Sequence, residues 1–381
     1  MAYSLLPAIS LRHPQAPMLD PSPFTNTARR PAVEGPFHQH EVGLAVRNSG
    51  ILLEALRHDV TPVGLHYLLS HFDVPYVPDG KWQVEIAGRL RRPGAIALDE
   101  IKRLPGRTLR VTLECAGNGR AVMSPRYPSM PWGYEAVGTA EWTGTPLRHV
   151  LDRAGLLEDV VEIACIGSDR GFDRGHEHVY GRSLRRDAAL GDDVLLVWAM
   201  NGAPLMPQHG YPLRLIVPGW YGMASVKWLV RIEALAQPYD GFQQVSSYLY
   251  RAVPGGPTTP VTHMRVKSLM VPPGIPDFYT RRRMAEAGAV QLFGRAWSGA
   301  GAPVARVELG IDGVWQDAVL DPPQGKYAWR GWHALWQAEA GEHELSCRAT
   351  DGNGETQPLV QRWDTGGFGN NAVQRVQVTV R

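Results

Sequence analysis

The chain has 381 residues, which is enough for two or three domains that each bury their own core. Its apolar content of 44% is ordinary for a folded globular protein, and its 41 glycines and 31 prolines favour short strands and turns over a helical bundle. A net charge of +2, without a run of lysines or arginines, excludes an electrostatic case for binding nucleic acid.

The three cysteines, Cys115, Cys165 and Cys347, are too few and too widely spaced for a disulfide framework. The sequence contains no CxxC pair and no CxxCH motif, which excludes a zinc ribbon, a thioredoxin-like site and covalently attached haem. Cys165 and Cys347 lie in apolar segments typical of strands, and we expect both to be core residues.

The sequence predicts no targeting or membrane segment. The first thirty residues contain no continuous apolar run, and Arg29-Arg30 is followed by Pro31 instead of the apolar stretch of a twin-arginine signal. No stretch approaches the ~18 consecutive apolar residues of a membrane span. We therefore expect a cytoplasmic protein that does not contact a membrane, with a periplasmic location left open.

Residues 1–40 are predicted to form an irregular N-terminal arm, because Pro, Ser, Thr and Asn are frequent there. A catalytic domain is predicted over residues 41–255. It begins with a short helix from Ile51 to His58. Thr61-Pro62 is typical of the start of a second helix, which is predicted to run towards Phe72.

From Lys81 onwards the pattern alternates between strands and short helices. Residues Trp82 to Ile86 alternate between apolar and polar side chains, as in a strand with one buried face. Amphipathic helices are predicted for Leu98–Leu104 and Leu147–Ala154, the second of which ends at Gly155. Further strands are predicted at residues 109–113, 160–166, 213–217 and 226–232.

The segment Pro254-Gly255-Gly256-Pro257 is the strongest candidate for a domain boundary. Beyond it, residues 256–381 are nearly all strand and turn, with the spacing of a β-sandwich of about 100 residues. The predicted fold class is therefore α+β, with a mixed α/β domain followed by a β-sandwich.

Cys115 follows the predicted strand 109–113 directly and precedes Ala116-Gly117-Asn118-Gly119-Arg120. Glycine and asparagine tolerate the left-handed backbone of a tight turn, so Cys115 is expected at a strand end where the chain turns through a pocket. A thiolate there can act as a nucleophile or as a soft metal ligand. The alternative is a small buried core residue.

Three long segments together resemble a known family. They read LECAGNGR around Cys115, WGYEAVGTAEWTGTPL from Trp132, and NGAPLMPQHGYPLRL from Asn201, the last continuing through Lys227. Their sequence and order resemble the sulfite oxidase family of molybdenum-cofactor enzymes, which includes assimilatory nitrate reductase. The resemblance covers roughly residues 45–381 and is to a single-cofactor form without a haem domain.

The resemblance implies a molybdenum–molybdopterin cofactor. Cys115 matches the cysteine whose thiolate binds molybdenum, which agrees with the preference of soft thiolates for such a metal. His209, Arg214 and Lys227 match positions that hold the pterin phosphate, where charge-assisted donors are needed. The other implied contacts with the pterin are His71, Asp169, Ser183 and Ser225, with the backbone of Gly222 and Met223.

The substrate pocket resembles the family less completely. Arg120 matches an arginine that binds the oxyanion, and Trp132 matches a tryptophan of the pocket. Tyr248 falls on the active-site tyrosine when residues are counted from Lys227 without gaps, with Tyr239 and Tyr250 as rivals. The chain departs from the family at Leu69 and Gly119, where arginines are usual, so a dianion would meet fewer positive charges.

The family resemblance extends to the second domain, which is similar to an immunoglobulin-like dimerisation domain and implies a homodimer. No cytochrome b5 or flavin module is seen in the sequence, so electrons are expected to pass to a separate acceptor such as a cytochrome. The activity that the resemblance implies most directly is the oxidation of sulfite to sulfate.

Three alternatives stay open. The first is a molybdoenzyme of the same family that acts on another oxyanion or on an S- or N-oxide. The second is a binding protein that has lost catalysis. The third is a zinc hydrolase built on His176-Glu177-His178, whose alternate histidines share a strand face but lack an HExxH motif and a third ligand in reach.

Overall fold

We describe the chain from a computed structural model, which places residues 39–77, 81–299 and 301–381. The predicted N-terminal arm therefore lies outside the described residues, apart from the last two of its forty positions, which begin helix α1 (Gln39–Arg47). Among the described residues, no helix is long and apolar enough to cross a membrane.

The first domain contains one mixed sheet and one antiparallel sheet, and the mixed sheet has the strand order β2-β1-β10-β5-β6. Only the β1–β10 pair is parallel in this sheet. Val84 and Ile86 of β1 are buried while the intervening Glu85 is exposed, as the alternation predicts. The five strands are β1 (Gln83–Gly88), β2 (Gly94–Ala97), β5 (Glu162–Asp173), β6 (His176–Arg185) and β10 (Leu229–Leu235).

The second sheet has the order β3-β4-β7-β8, with β9 also paired to β7. The last four residues of β3 are buried, and the strand ends directly before Cys115, which confirms the predicted strand and its position. The strands are β3 (Arg107–Glu114), β4 (Val137–Pro146), β7 (Leu195–Met200), β8 (Ala203–Pro204) and β9 (Arg214–Ile216).

Short helices join these strands. They are α2 (Leu98–Arg103), α3 (Leu147–Ala154), α4 (Arg186–Ala189) and α5 (Phe242–Val245). Single 3-10 turns cover Leu53–Arg57, Val63–Leu65, Arg120–Val122, Pro207–His209 and Gly222–Ala224. Helices α2 and α3 were predicted, and Gly155 ends α3 with a positive φ of 73°, a value that glycine adopts without a steric penalty.

The helix predicted from Thr61 towards Phe72 is wrong, because only Val63–Leu65 is helical, as one 3-10 turn. The backbone of Leu68 instead exchanges two hydrogen bonds with Ser49, of 2.7 and 3.1 Å, and the Leu69 carbonyl accepts one from Lys227. Tertiary hydrogen bonds therefore replace the helical ones and hold this segment open.

The second domain is the predicted β-sandwich. One sheet has the order β13-β16-β20-β19 and the other β14-β15-β22-β21-β17-β18. The strands are β13 (Lys267–Met270), β14 (Ile275–Pro276), β15 (Arg283–Ala285), β16 (Gly288–Trp297), β17 (Val304–Ile311), β18 (Val314–Asp317), β19 (Val319–Leu320), β20 (Arg330–Ala338), β21 (Gly341–Asp351) and β22 (Gln374–Val380). A small pair, β11 (Leu249–Tyr250) with β12 (Thr259–Pro260), precedes it.

Two hydrophobic clusters fill the molecule, one mainly within the first domain and one within the sandwich. Cys165 is buried in the first cluster and Cys347 in the second, so both cysteines are core residues, as predicted. The boundary near residue 255 stays a prediction.

A buried polar network joins the sandwich to the turn that carries Cys115. The Lys267 ammonium lies 2.9 Å from the Glu114 carboxylate, and the Trp297 indole N–H donates to the other oxygen of that carboxylate at 2.9 Å. The Asn370 side chain donates to the Gly119 carbonyl at 2.8 Å, and the Gly369 N–H donates to the Ala116 carbonyl at 2.7 Å. The second domain therefore holds both ends of this turn in place.

Replacing Lys267 with methionine is expected to lower the free energy of unfolding by about 3 to 5 kcal/mol, because the Glu114 carboxylate stays buried without its cation. Urea unfolding of the purified variant measures this. Lys326→Met is the control, since Lys326 forms an exposed ion pair with Asp193 that is worth at most about 1 kcal/mol. A change below 1 kcal/mol for Lys267→Met would contradict this account of the interface.

Candidate active site

Cys115 lies where strand β3 ends, and it is 6% exposed. Its N–H donates to the Ala136 carbonyl at 2.9 Å, and the turn after it closes with Gly119 at a φ of 92°. The residue lines two adjoining cavities. We call them the basic cavity, which contains Lys227, and the arginine cavity, which contains Arg120.

The surroundings of Cys115 act on its thiol in opposite directions. Burial raises the pKa of the thiol, whereas the Arg120 guanidinium, the Gly117 N–H and the Trp132 indole N–H lower it. A bound cation would displace the proton outright. The thiol is thus placed to serve as a metal ligand in a water-poor site.

Two cations, Lys227 and Arg214, line the basic cavity, and the acceptors of their hydrogen bonds are neutral. The Lys227 ammonium donates to the Leu69 carbonyl, the Gln208 carbonyl and the Ser70 hydroxyl, at 2.9 to 3.0 Å. The Arg214 guanidinium donates to the His209 carbonyl at 2.8 Å and to the Ser225 carbonyl at 3.1 Å. These bonds fix the cations in position without neutralising them.

The lowered pKa values in the basic cavity show that burial makes these positive charges unfavourable. Burial, with repulsion from Arg214, lowers the pKa of Lys227 to about 7, and burial lowers the pKa of Arg214 to about 10. Burial, with the charges of His66 and Arg214, lowers the pKa of His209 to about 3. The carboxylate that lines the cavity belongs to Asp169, whose own pKa is raised by burial to about 6.

These features fit a large anionic group such as a pterin phosphate. A buried surplus of positive charge is relieved by a bound phosphate. Among the described residues, Nε2 of His66 and Oδ1 of Asp169 are buried without a hydrogen-bond partner. A Cβ at Gly222 would lie 2.4 Å from the Tyr67 hydroxyl, so only a glycine leaves this wall of the cavity open.

The lowered pKa of Lys227 predicts a pH dependence of stability for protein prepared without its cofactor. Between pH 7 and about 10.4 the unfolded chain binds the proton that the folded chain has lost, so stability rises with pH. Relative to Lys227→Met, the wild-type protein should gain about 2 kcal/mol between pH 7.5 and 9.0. Urea unfolding of both proteins at the two pH values measures this. A constant or shrinking difference would contradict the prediction.

The arginine cavity has a volume of about 290 Å³ and shares Cys115 with the basic cavity as a lining residue. Arg120 is 5% exposed, and its guanidinium donates to the Met130 carbonyl at 3.0 Å and the Gly366 carbonyl at 3.3 Å. It also lies 5.3 Å from the centre of the Phe368 ring. The positive charge of Arg120 is therefore held rigidly beside the thiol.

Tyr248 lines both cavities, and its hydroxyl lies 2.5 Å from Nε2 of His71. Burial raises the pKa of Tyr248, whereas burial, with the charge of Lys227, lowers the pKa of His71 to about 4. The neutral imidazole therefore holds the neutral phenol beside Cys115. The rivals Tyr239 and Tyr250 line neither cavity.

The structure brings eight of the residues predicted for the site to the basic cavity, and Arg120 to the arginine cavity. Those eight are His71, Cys115, Asp169, His209, Arg214, Ser225, Lys227 and Tyr248. Trp132 differs from expectation, because it lines neither cavity; it is buried, and it acts on the site by lowering the pKa of the Cys115 thiol.

The structure does not bring Ser183, a predicted pterin contact, to either cavity. Its hydroxyl donates to the Glu162 carboxylate at 2.6 Å, and the residue lines neither cavity. Successive side chains of a strand point to opposite faces, so Tyr180 and Arg182 of β6 face the site while Ser183 faces away. The Tyr180 ring stacks on His71 at 4.5 Å, and the Arg182 guanidinium lies 5.4 Å from the Tyr248 ring centre.

Other residues at the cavities were not foreseen from the sequence. They are His66, Tyr67, Tyr180 and Gln208 at the basic cavity, and Tyr127, Asp173, Arg174 and Gln243 at the arginine cavity. The sequence does indicate the turn Asp173-Arg174-Gly175, which predicts a hairpin between two strands. It does not show that the Arg174 side chain points into the cavity.

The zinc-hydrolase alternative finds no support. His176 and His178 lie on β6, where His178 contacts Phe72, Phe242 and the Gln243 amide. Within residues 39–77, 81–299 and 301–381, no three His, Cys, Asp or Glu side chains form a group able to hold a metal ion.

Two family models match the chain, one in each domain. The family model for the oxidoreductase molybdopterin binding domain matches residues 71–243. The model for the Mo-co oxidoreductase dimerisation domain matches residues 258–381.

Individual proteins are similar over most of the chain. Nitrate reductase (NADH) 2 of Phaseolus vulgaris is 32% identical over 365 residues, which cover 86% of this chain and 40% of that protein. Nitrate reductase (NAD(P)H) of Hordeum vulgare is 32% identical over 353 residues, covering 84% and 39%. The chain thus spans about 40% of the length of these curated relatives.

Among solved structures, the sulfane dehydrogenase SoxCD from Paracoccus pantotrophus matches with a TM-score of 0.74 and 24% identity. The match covers 91% of each chain. This likeness shows that the two proteins share the fold of both domains.

Proposed function

The chain belongs to the sulfite oxidase family of molybdopterin oxidoreductases, and on this premise we propose that it oxidises sulfite to sulfate and passes the electrons to a separate acceptor. Its cofactor is molybdenum–molybdopterin. The observation that supports the substrate is the arginine cavity, where the buried cation Arg120 adjoins Cys115. A small oxyanion in that cavity would meet positive charge directly beside the metal ligand.

The chain's own residues divide into a cofactor site and a substrate site. The Cys115 thiolate would bind the metal. The pterin phosphate would be held by His209, Arg214 and Lys227, with Ser225 and the backbone of Gly222. When bound, the cofactor supplies two-electron redox chemistry and oxygen-atom transfer.

In the overall reaction, sulfite and water become sulfate, with release of two electrons and two protons. The Arg120 guanidinium binds the anion and polarises it as charge develops. The Tyr248 hydroxyl, oriented by His71, is placed to donate a hydrogen bond or to move a proton beside Cys115. Tyr248 is 5% exposed, so its hydroxyl is shielded from bulk water.

A second candidate is a reaction of the same family on a different substrate, such as another oxyanion or an S- or N-oxide. Leu69 lines both cavities at a position where the family usually has an arginine, and Phe72, Met130 and Phe368 add apolar surface to the arginine cavity. A wall of this kind favours a monoanion or a neutral molecule over a dianion. The nitrate reductases to which the chain is similar act on such a monoanion by name.

A substrate panel on the molybdenum-loaded protein tests the proposal. Sulfite with a one-electron acceptor dye is compared with nitrate, a sulfoxide and an N-oxide with a reduced dye. Sulfite should give the highest kcat/KM. Faster reduction of any oxide would overturn the sulfite assignment in favour of the second candidate, and a fully loaded protein inactive on the whole panel would support a binding protein that has lost catalysis.

We also propose that the second domain pairs two copies of the chain, as the dimerisation-domain match supports. Light scattering of the purified protein should give twice the chain mass, and a monomer at micromolar concentration would contradict the pairing.

A further inference from the structure

Arg174 occupies an unusual place for a long cationic side chain. It is the first residue of the two-residue turn between β5 and β6, with a φ of 49°, and Gly175 follows with a φ of 82°. Such turns favour Asn, Asp and Gly at both positions, because other side chains are strained at positive φ. An arginine there costs roughly 1 kcal/mol and suggests that its side chain is needed.

The side chain turns inwards from the hairpin. Its guanidinium is directed to the Ser246 carbonyl at 2.9 Å and lies 4.7 Å from the centre of the Phe242 ring. Only 16% of the side chain is exposed, and it lines the arginine cavity. The hairpin thus delivers a second cation to the cavity that contains Arg120.

Tyr127 shows that the two cations face the same space. Burial raises the pKa of Tyr127 to about 12, and the largest opposing influences are the charges of Arg120 and then Arg174. Tyr127 lines the same cavity. The guanidinium groups of Arg120 and Arg174 therefore both act on Tyr127, a residue of the cavity wall.

The charge of Arg174 is partly neutralised by the neighbouring carboxylate of Asp173. The Asp173 carboxylate lies 3.2 Å from Nε of Arg174, and it also accepts from the Gln243 amide at 3.3 Å. Asp173 lines the cavity too, with 35% of its side chain exposed. An anion that enters the cavity would meet Arg120, Arg174 and this competing carboxylate together.

We propose that Arg174 is a second anion-binding residue of the substrate cavity and that Asp173 competes with the anion for its guanidinium. This inference rests on the proposed function for the identity of the anion. Arg174 supplies, from a hairpin, positive charge that the sequence lacks at Leu69. Asp173 weakens the binding of any anion and so sets how much affinity the cavity offers.

The test uses molybdenum-loaded protein with three substitutions. Arg174→Asn removes the cation but suits the positive φ, so the fold and the melting temperature should be kept or improved. Its KM for sulfite should rise about 10- to 100-fold, the range of a lost charge-assisted hydrogen bond, with kcat changed less than about threefold. Asp173→Asn should shift KM in the opposite direction, downwards by about two- to tenfold.

Arg170→Gln is the matched control, because Arg170 lies on the same hairpin, is 66% exposed and pairs with Glu177 outside the cavity. It should leave KM unchanged. The equilibrium dissociation constant of sulfate, an inert anion, should change in the same directions as KM. We expect it to be higher in Arg174→Asn, lower in Asp173→Asn and unchanged in Arg170→Gln, as measured by calorimetry at low ionic strength. That readout does not depend on turnover.

The two proposals fail in different ways. If sulfite is not oxidised but sulfate binding still weakens in Arg174→Asn, the inference stands and the proposed substrate is wrong. If sulfite is oxidised with the same KM and sulfate affinity in Arg174→Asn as in the wild type, the inference is wrong. Wild-type protein that binds no sulfate would also overturn it.

Discussion

Replacement of Cys115 by serine is expected to lower the kcat of the molybdenum-loaded protein for sulfite at least about 1000-fold, an effect of the size seen when a group that acts directly in catalysis is lost. A serine hydroxyl is a hard and weakly acidic donor, so it replaces a soft thiolate poorly as a metal ligand. The expected loss is in kcat, accompanied by a changed visible absorption spectrum of the metal centre.

Cys165→Ala is the control for this substitution. Cys165 is also fully buried, but it lies in the core of strand β5 and lines neither cavity. Its loss should cost about 1 kcal/mol of stability and leave kcat and the spectrum unchanged. Full activity and a normal spectrum in Cys115→Ser would show that the cavity around Cys115 is not the metal site.

Replacement of Arg120 by glutamine is expected to lower kcat/KM for sulfite by about 100- to 1000-fold, the cost of removing one preorganised donor from developing charge. The guanidinium donates to two backbone carbonyls and forms no salt bridge with a carboxylate among the described residues, so its charge is available to the anion. The ratio is measured in steady state with a one-electron dye at several sulfite concentrations.

Arg295→Gln controls for the loss of a buried arginine as such. Arg295 is 7% exposed and donates to the carbonyls of Leu56 and Arg57, far along the chain from Cys115 and outside both cavities. It should lose stability without losing kcat/KM. An Arg120→Gln protein within threefold of the wild-type kcat/KM would refute the role given to Arg120.

Motifs made most of the site predictable. Cys115, His209, Arg214 and Lys227 lie in long continuous segments whose strands and turns could be read from apolar runs and glycines, and the structure brings them together. The choice of Tyr248 over Tyr239 and Tyr250 rested on counting residues, and the structure places Tyr248 at the cavities. Their chemical roles stay predictions until the substitutions are made.

The errors have local physical reasons. The Thr61-Pro62 pair predicts the start of a helix, yet hydrogen bonds to Ser49 and Lys227 compete for the same backbone groups. Ser183 was one residue out of phase with the strand face that meets the cavity. A local pattern does not show which tertiary partner wins or which face of a strand is inside.

The contacts that the sequence could not show join distant residues. Lys267 and Glu114 are 153 positions apart and would each be read as a surface charge, but they form a buried pair that supports the Cys115 turn. Arg174 likewise gives no signal beyond the turn that it occupies. Only the folded chain shows that both cations point inwards.

The most direct test of the account is a single turnover without an acceptor. Oxidised, molybdenum-loaded protein is mixed anaerobically with a small excess of sulfite, and sulfate is counted against metal. The account predicts one sulfate per molybdenum and two electrons recovered by a one-electron dye added afterwards. If a fully loaded protein forms no sulfate, sulfite oxidation is contradicted and the cavity binds a different substrate.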